Sequence, residues 1–559
     1  MSTYPWIAKY PAGIPAEISE YRPESLLELF NQAFKSFGSR EAFENMGKVL
    51  TYQEINLQSD FFAAYLQNEV KVQKGDRIAI QMPNCLQYPI VLIGALKAGC
   101  IVVNTNPLYT PREMEHQFID AEVKAIVIIA NFASSLEEVL PKTKIEHIIV
   151  TELGDLLGGV KGKLVNFVVK HVKKMVPAYN LPTAKKFKDV MKKGVRLKYT
   201  KPSIKSSDTA FLQYTGGTTG VSKGATLSHG NVVAHTFAIA SWFTPLLKAG
   251  QTELMITAIP LYHIFALNVN CTFMMHIGAK NVLITNPRDM PGFIKELKKH
   301  QFTLFTGVNT LFNGLLNQPN FNEVDWSHLK GSIGGGMAVQ DFVARNWEEK
   351  TNSALVEGYG LSETSPVASC NPLDGTHRMG TVGLPIPSTA LSICDDDGKH
   401  LAQGEVGEIC IKGPQVMSGY WKKDNEGVFF EDGWFRTGDI GQMDVDGFFK
   451  IVDRKKDMIN VSGFNVFPNE VENVIADHEK VLEVAVIGVP DKHSTECVKA
   501  FVVKSDPSLT EEELRHYCEE ELTGYKKPKY IEFIDELPKS NVGKILRREL
   551  KEMEAARLA

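Results

Sequence analysis

The sequence predicts an α/β protein with a large N-terminal region of parallel α/β layers, a small β-barrel-like unit after it, and a small α+β unit at the C-terminus. Three observations predict this. The early stretch "GDRIAIQMPNCLQYPIVLIGALKAGCIVVNTNP" reads strand, helix, strand. From about residue 380 the texture changes to short strands between Gly and Asp turns. The final stretch alternates helix and strand patterns in short lengths.

The elements follow in chain order. Ile78 to Gln81 is the first apolar run, Leu86 to Leu96 the helix and Ile101 to Asn104 the second strand. "KAIVIIA" near 124 and "HIIV" near 147 continue the series, as do "TLFTGV" at 303–308 and "GSIGGGMAV" at 331–339. Uninterrupted apolar strands signal a parallel sheet buried on both faces. "GEVGEICIKG", "GFFKIVD" and "VLEVAVIGV" are the later strands. The C-terminal unit holds helix "PNEVENVIADH", strands "VAVIGV" and "VKAFVV", helix "EEELRHYCEEEL" and strand "YIEFI".

At 559 residues the chain exceeds a single core, and about three to four domain-sized units are expected. A net charge of −5 gives no case for nucleic acid. The eight cysteines (Cys85, Cys100, Cys271, Cys370, Cys394, Cys410, Cys497 and Cys518) form no C-x-x-C pair, which argues against a zinc site and fits a reducing cytoplasm. The start "MSTYPWIAKYPAGIP" has no apolar core and is not a secretory signal.

Residues 254–279 carry no formal charge, but Pro260, His263, Asn268, Asn270 and His276 interrupt them, so a buried strand–loop–helix is expected rather than a membrane span. Residues 161–201 are dense in Lys and Arg, with Asp189 the lone acid. Leu164, Val168, Val172 and Met175 recur there at helical spacing. Two readings stay open: a helix lying on an anionic membrane surface, and a solvated surface insertion.

The chemistry concentrates in "YTGGTTGVSKGA", comprising Tyr214, Thr215, Gly216, Gly217, Thr218, Thr219, Gly220, Val221, Ser222, Lys223, Gly224 and Ala225. It lacks the two glycines five apart that the common P-loop requires. Its backbone N–H groups and hydroxyls still suit an anion, and Lys223 adds a point charge. Four other stretches join it: "EGYGLSETSP" (Glu357 to Pro366), "DGWFRTGDIG" (Asp432 to Gly441), "DRKKDMINVSGFNVFPNEVE" (Asp453 to Glu472) and "PKSNVGKILRREL" (Pro538 to Leu550).

In their order and spacing these five stretches resemble the adenylate-forming enzymes: acyl-CoA synthetases, adenylation domains and luciferases. The likeness spans roughly residues 25–555. The segment Asp432 to Lys456 is similar to the signature stretch of fatty acyl-CoA synthetases. The resemblance implies activation of a long-chain fatty acid by ATP to acyl-AMP, followed by thioester formation with coenzyme A. The loop from Tyr214 to Ala225 would wrap the triphosphate. Thr215 and Glu363 would hold Mg²⁺, with Ser362 standing where threonine is common. Tyr359 would stack on adenine, Asp439 would accept the ribose hydroxyls, and Arg454 would lie beside the sugar. Lys544 would reach the α-phosphate as a catalytic residue, and His263 would sit near the acyl group. The resemblance also implies residues 1–455 as the adenylation domain and 456–559 as a mobile C-terminal domain. Lys456 would be the hinge, and Gly463 would line the path of the CoA thiol.

Amino-acid-activating relatives carry an aspartate near the substrate. "IPLYHIFALNVN" has no acid, which favours an uncharged acyl chain. Leu267 stands where one long-chain relative has a gating tryptophan. A medium-chain or aryl acid–CoA ligase shares the motifs. More remote are a luciferase-like oxidoreductase, whose usual terminal "SKL" is absent, and a non-catalytic acyl-binding protein. The expected partners are fatty acid, ATP and CoA, in a cytoplasmic protein peripheral to the inner face of the membrane, with a homodimer as a further expectation.

Overall fold

The computed structural model describes residues 4–19, 23–215, 222–462, 464–491, 494–540 and 543–558. Strand Ile101–Asn104 is buried at every residue, and so is helix Gln87–Lys97 before it. This is what an apolar strand–helix–strand run requires when both faces of a sheet are covered.

These elements belong to a seven-stranded sheet. Its order is Lys185–Lys186, His147–Thr151, Val123–Ile129, Arg77–Gln81, Ile101–Asn104, Thr209–Thr215 and Lys223–Ser228. All its neighbours run parallel except the last pair, in which Thr215 lies opposite Lys223. A nine-stranded sheet is parallel at its centre and antiparallel at both ends. Strands Leu254–Thr257, Leu304–Gly307, Gly331–Gly334 and Leu355–Gly360 lie in its middle. Ligands of open α/β sheets bind beyond the carboxyl ends of the strands, where the strand order reverses. Thr215, Gly360 and the segment after Thr257 all stand at such ends.

The uncharged stretch 254–279 is a strand, a turn and the helical segments Ala266–Phe273 and Met274–His276. Among the described residues no helix is long and apolar enough to cross a membrane. Its polar side chains are partnered inside the protein. Asn268 Nδ2 donates to the Ser365 carbonyl at 2.6 Å, and Asn270 Nδ2 donates to Thr306 Oγ1 at 2.8 Å. Burying an amide without such partners would cost a few kcal/mol, on the order of 1–3.

A four-stranded antiparallel sheet follows, in the order Ala390–Cys394, Val406–Lys412, Phe435–Met443 and Phe449–Arg454. After it come hairpin Ile459–Val461 with Phe464–Val466, helix Pro468–Ala476, strands Val481–Asp491 and Thr495–Lys504, helix Glu511–Glu521, strand Tyr530–Phe533 and helix Arg547–Leu558. Strand Tyr530–Phe533 runs parallel to Thr495–Lys504, whereas the other pairings in this C-terminal sheet are antiparallel.

The basic segment divides in two. Helix Phe187–Gly194 is part of the fold, with Phe187 and Val190 buried and Lys193 paired to Glu69 at 2.6 Å. Helix Gly159–Phe167 and the π-helical turn Val168–Val172 lie on the surface. There Leu164, Phe167, Val172 and Met175 are each more than half exposed, at 58, 56, 62 and 55%.

Candidate active site

Glu363 is held in a tight turn that begins at the carboxyl end of strand Leu355–Gly360. The turn folds back so closely that a Cβ on Gly360 would lie 1.8 Å from the Pro366 carbonyl oxygen, so only glycine fits. Ser365 adopts φ 65°, and its hydroxyl donates to the Gln415 carbonyl at 2.8 Å. Buried His235 accepts the Val367 N–H at Nε2, 2.9 Å away, and burial lowers its pKa to about 3, which keeps that nitrogen free to accept.

Glu363 itself is buried. Its Oε1 accepts the Tyr420 hydroxyl at 2.7 Å, and its carbonyl accepts the Met417 N–H at 2.7 Å. Burial raises its carboxyl above the usual range, opposed by the Tyr420 hydrogen bond. The turn packs against strands Thr209–Thr215 and Lys223–Ser228, which bring Thr215 and Lys223 to the same neighbourhood. The Lys223 ammonium stands 5.2 Å from the centre of the Tyr420 ring.

Gly216, Gly217, Thr218, Thr219, Gly220 and Val221 lie outside the described residues, as does Gly463. Of the rest of the loop, Ser222 offers its carbonyl to His116 Nε2 at 2.8 Å. Tyr214 turns into the core, where its hydroxyl donates to Asp120 Oδ2 at 2.7 Å. Gly224 makes room for that ring, since a Cβ there would come within 3.0 Å of it. Ala225 is fully buried. The side chains of Tyr214 and Ala225 therefore secure the strands rather than face an open cleft.

A second cluster forms around Asp439. Its Oδ2 accepts the Tyr359 hydroxyl at 2.8 Å, and its Oδ1 lies 3.1 Å from Arg454 Nε. Residues 439 and 454 face each other across adjacent antiparallel strands, which sets the pair. Tyr359 and Asp439 are buried, and Ser362 and Arg454 are half-buried.

Lys544 enters from the C-terminal unit. Its turn docks on the nine-stranded-sheet region: Thr310 Oγ1 donates to the Gly543 carbonyl at 3.0 Å and Arg288 Nη2 to the Ser540 carbonyl at 3.4 Å. Gly543 has φ +80°, and a Cβ would sit 2.6 Å from Thr310 Oγ1, so the residue before the lysine needs to be glycine. The positive charge of Arg454 and then burial lower the Lys544 pKa to about 7, Asp439 opposing them. His263 is lowered to about 4, first by burial and then by Lys544, and is neutral at physiological pH. The charges of Arg454 and Asp439 thus act on Lys544, and that of Lys544 acts on His263. Lys456 lies in an exposed turn between strands Phe449–Arg454 and Ile459–Val461, and its charge also lowers Lys544.

Three residues that shape the site were not singled out as site residues from the sequence: Tyr420, His235 and Asp120. Asn268 was visible as a polar interruption of an apolar run, but its partner Ser365 is 97 residues away.

Residues 30–421 match the AMP-binding enzyme family and residues 470–544 match the AMP-binding enzyme C-terminal domain. The chain is similar to the long-chain-fatty-acid–CoA ligase of Yersinia pestis, 56% identical over 98% of each chain. It is 39% identical to that of Bacillus subtilis strain 168, over 99% of this chain and 98% of the relative. Among solved structures, the anthranilate CoA ligase AuaEII in complex with anthranoyl-AMP shares the fold. The TM-score is 0.84 at 23% identity, over 98% of this chain and 99% of that one.

Proposed function

The chain belongs to the AMP-binding enzyme family, and from that premise we propose that it is a long-chain fatty acid–CoA ligase. A carboxylate oxygen of the fatty acid attacks the α-phosphorus of ATP, and the bond to pyrophosphate breaks, leaving acyl-AMP. The CoA sulfur then adds to the acyl carbonyl carbon and AMP departs. A carboxylate has a poor leaving group; adenylation replaces it with a good one.

The observation that carries this assignment to residues is the docking of the Lys544 turn on Thr310 and Arg288 of the large region, which also holds the Tyr359–Asp439–Arg454 cluster and the Glu363 turn. Lys544 neutralises charge growing on the α-phosphate in the transition state. Asp439, oriented by Arg454, accepts the ribose hydroxyls, and Tyr359 offers its ring to adenine. The loop from Thr215 through Lys223 holds the β- and γ-phosphates. Thr215 and Glu363 fit a hard divalent cation, because a hydroxyl and a carboxylate oxygen are the donors Mg²⁺ takes and the Glu363 turn packs against the strand that ends at Thr215. Bound there, Mg²⁺ would supply positive charge to the triphosphate.

Neutral His263 lies beside the substrate carboxylate, and the acid-free segment after it suits an alkyl chain. For the second step, residues 456–559 rotate about Lys456 relative to 1–455. That withdraws Lys544 and presents Gly463 to the thiol.

We also propose that this ligase is cytoplasmic and binds anionic membrane reversibly. Leu164, Phe167, Val172 and Met175 are exposed beside Lys163, Lys170, Lys173 and Lys174, and residues 159–176 hold no acid. That composition suits the headgroup boundary of an anionic bilayer.

Exchange of labelled pyrophosphate into ATP tests the first step. It is expected to depend on palmitate and on magnesium. Exchange driven by benzoate but not palmitate would replace the long-chain reading with an aryl acid.

A further inference from the structure

Helix Pro468–Ala476 begins without a cap of its own. Its N-cap residue is Phe467, whose side chain accepts nothing. The first N–H groups of a helix need an acceptor, usually an Asp, Asn, Ser or Thr side chain bonded to the second or third of them. Here the acceptor comes from another unit. Asp453 Oδ2 accepts the Asn469 N–H at 2.9 Å, and Asp453 is fully buried on strand Phe449–Arg454. Its other oxygen accepts the Arg454 N–H at 2.7 Å.

The capped helix is tied to the catalytic lysine. Arg547, three residues after Lys544, clasps Glu472 of that helix with two hydrogen bonds, Nε to Oε1 at 3.0 Å and Nη2 to Oε2 at 2.6 Å. The same Nη2 donates to Asn469 Oδ1 at 2.6 Å. Two parallel bonds from a planar guanidinium make a rigid joint. Arg547 therefore ties helix 468–476 to the segment that carries Lys544. Asp453 also faces Arg547, with Nη1 at 4.0 Å from Oδ1, and Nη1 is 3.8 Å from Asp457. Burial raises the Asp453 carboxyl to about 6 and Arg547 opposes the rise, so it is anionic at neutral pH.

Lys456 separates Asp453 in sequence from Asn469, Glu472 and Arg547. The bonds of Asp453 to Asn469 and its attraction to Arg547 thus cross the hinge, and exist in the arrangement that brings Lys544 to the nucleotide site. Asp453 also adjoins Arg454, the partner of Asp439.

We propose that Asp453 is a positioning residue for adenylation: by capping helix 468–476 across the hinge and facing Arg547, it latches the C-terminal unit in its lysine-in arrangement. This rests on the proposed function, in which that arrangement makes acyl-AMP and a rotated one makes the thioester. Removing the latch shifts the population away from the adenylating arrangement without touching any reacting group.

The test compares Asp453→Ala and Asp453→Asn in the full chain, measuring acyl-AMP formation and transfer from supplied acyl-AMP to CoA separately in single turnovers. Asp453→Ala is expected to slow acyl-AMP formation by about tenfold, the scale of losing one helix cap. Transfer stays within about twofold of the unsubstituted protein or speeds up, as a population shift requires. Asp453→Asn, which keeps an acceptor oxygen but loses the charge, falls between. Backbone amides at the start of helix 468–476 exchange with solvent faster in Asp453→Ala. Equal losses in both steps, or no loss in the first, would overturn the proposal. Should Asp453→Ala fail to fold, Asp453→Asn decides by the same split. Failure of the unsubstituted protein to form acyl-AMP would instead overturn the proposed function.

Discussion

Lys544 carries the most specific expectation, because the proposed first step uses its charge and its pKa is lowered. The repulsion of Arg454 and then burial bring its pKa from 10.5 to about 7. The direction follows from the group. A lowered lysine is cationic below its pKa and neutral above it, so the activity it supports is present on the acid side and lost as pH rises. In the free enzyme about half of the lysines are protonated near pH 7 and about a tenth one unit higher.

For adenylation, kcat/KM reports the free enzyme, so it is expected to fall about fivefold between pH 7 and 8 and about tenfold over the next unit. Lys544→Ala removes the cation altogether. At pH 6 the loss is expected to be about a hundredfold or more, some 2.7 kcal/mol in the barrier. The two profiles then converge as pH rises, because the unsubstituted lysine is itself neutral there. Lys456, lowered to about 8 mainly by burial and then by Arg454, titrates nearby and itself lowers Lys544, so Lys456→Gln should keep a single limb and move it upward in pH. The assay is single-turnover acyl-AMP formation at subsaturating ATP. Parallel profiles for Lys544→Ala and the unsubstituted protein would refute the assignment of the limb to Lys544.

The remaining expectations concern the metal, the turn and the membrane. Glu363→Ala and Thr215→Ala are each expected to lower acyl-AMP formation about a hundredfold with the fold intact by circular dichroism; near-normal adenylation in Glu363→Ala would remove it from the site. Chelating magnesium should stop adenylation yet leave transfer from supplied acyl-AMP to CoA. Gly360→Ala places a Cβ 1.8 Å from the Pro366 carbonyl oxygen. The turn carrying Glu363 must move, so thermal unfolding should report a loss of about 1–3 kcal/mol together with slowed adenylation. Sedimentation with anionic vesicles should be salt-sensitive and lost when Lys170, Lys173 and Lys174 become glutamate, at about 1 kcal/mol per basic residue; unchanged sedimentation would move the contact elsewhere.

The parts of the fold legible in the sequence are those fixed by local pattern. Apolar runs bounded by Gly and Pro marked strand Ile101–Asn104 to the residue, and helix Leu86 to Leu96 is Gln87–Lys97 in the structure. Side-chain direction was less legible. Tyr214 belongs to the loop motif, yet its hydroxyl is committed to Asp120, 94 positions away. The partner of Glu363, Tyr420, lies 57 residues on, and no spacing rule connects them. The cap that Asp453 gives Asn469 was hidden for the same reason: both lie in one quoted motif, but their contact depends on how two units meet. The basic segment shows the limit of charge as a signal. Lys163 and Lys193 look alike in sequence, but Lys193 is paired with Glu69 on a helix built into the fold, whereas Lys163 lies on the exposed helix.

In its proposed activity this chain joins long-chain fatty acids to coenzyme A through an adenylate. The direct measurement incubates the full-length protein with ATP, magnesium and CoA and each of acetate, octanoate, palmitate, oleate and benzoate, and quantifies acyl-CoA, AMP and pyrophosphate together. The protein is expected to yield equimolar acyl-CoA, AMP and pyrophosphate, with kcat/KM highest for palmitate and oleate. Release of ADP and phosphate, or a preference for acetate or benzoate, would contradict that activity.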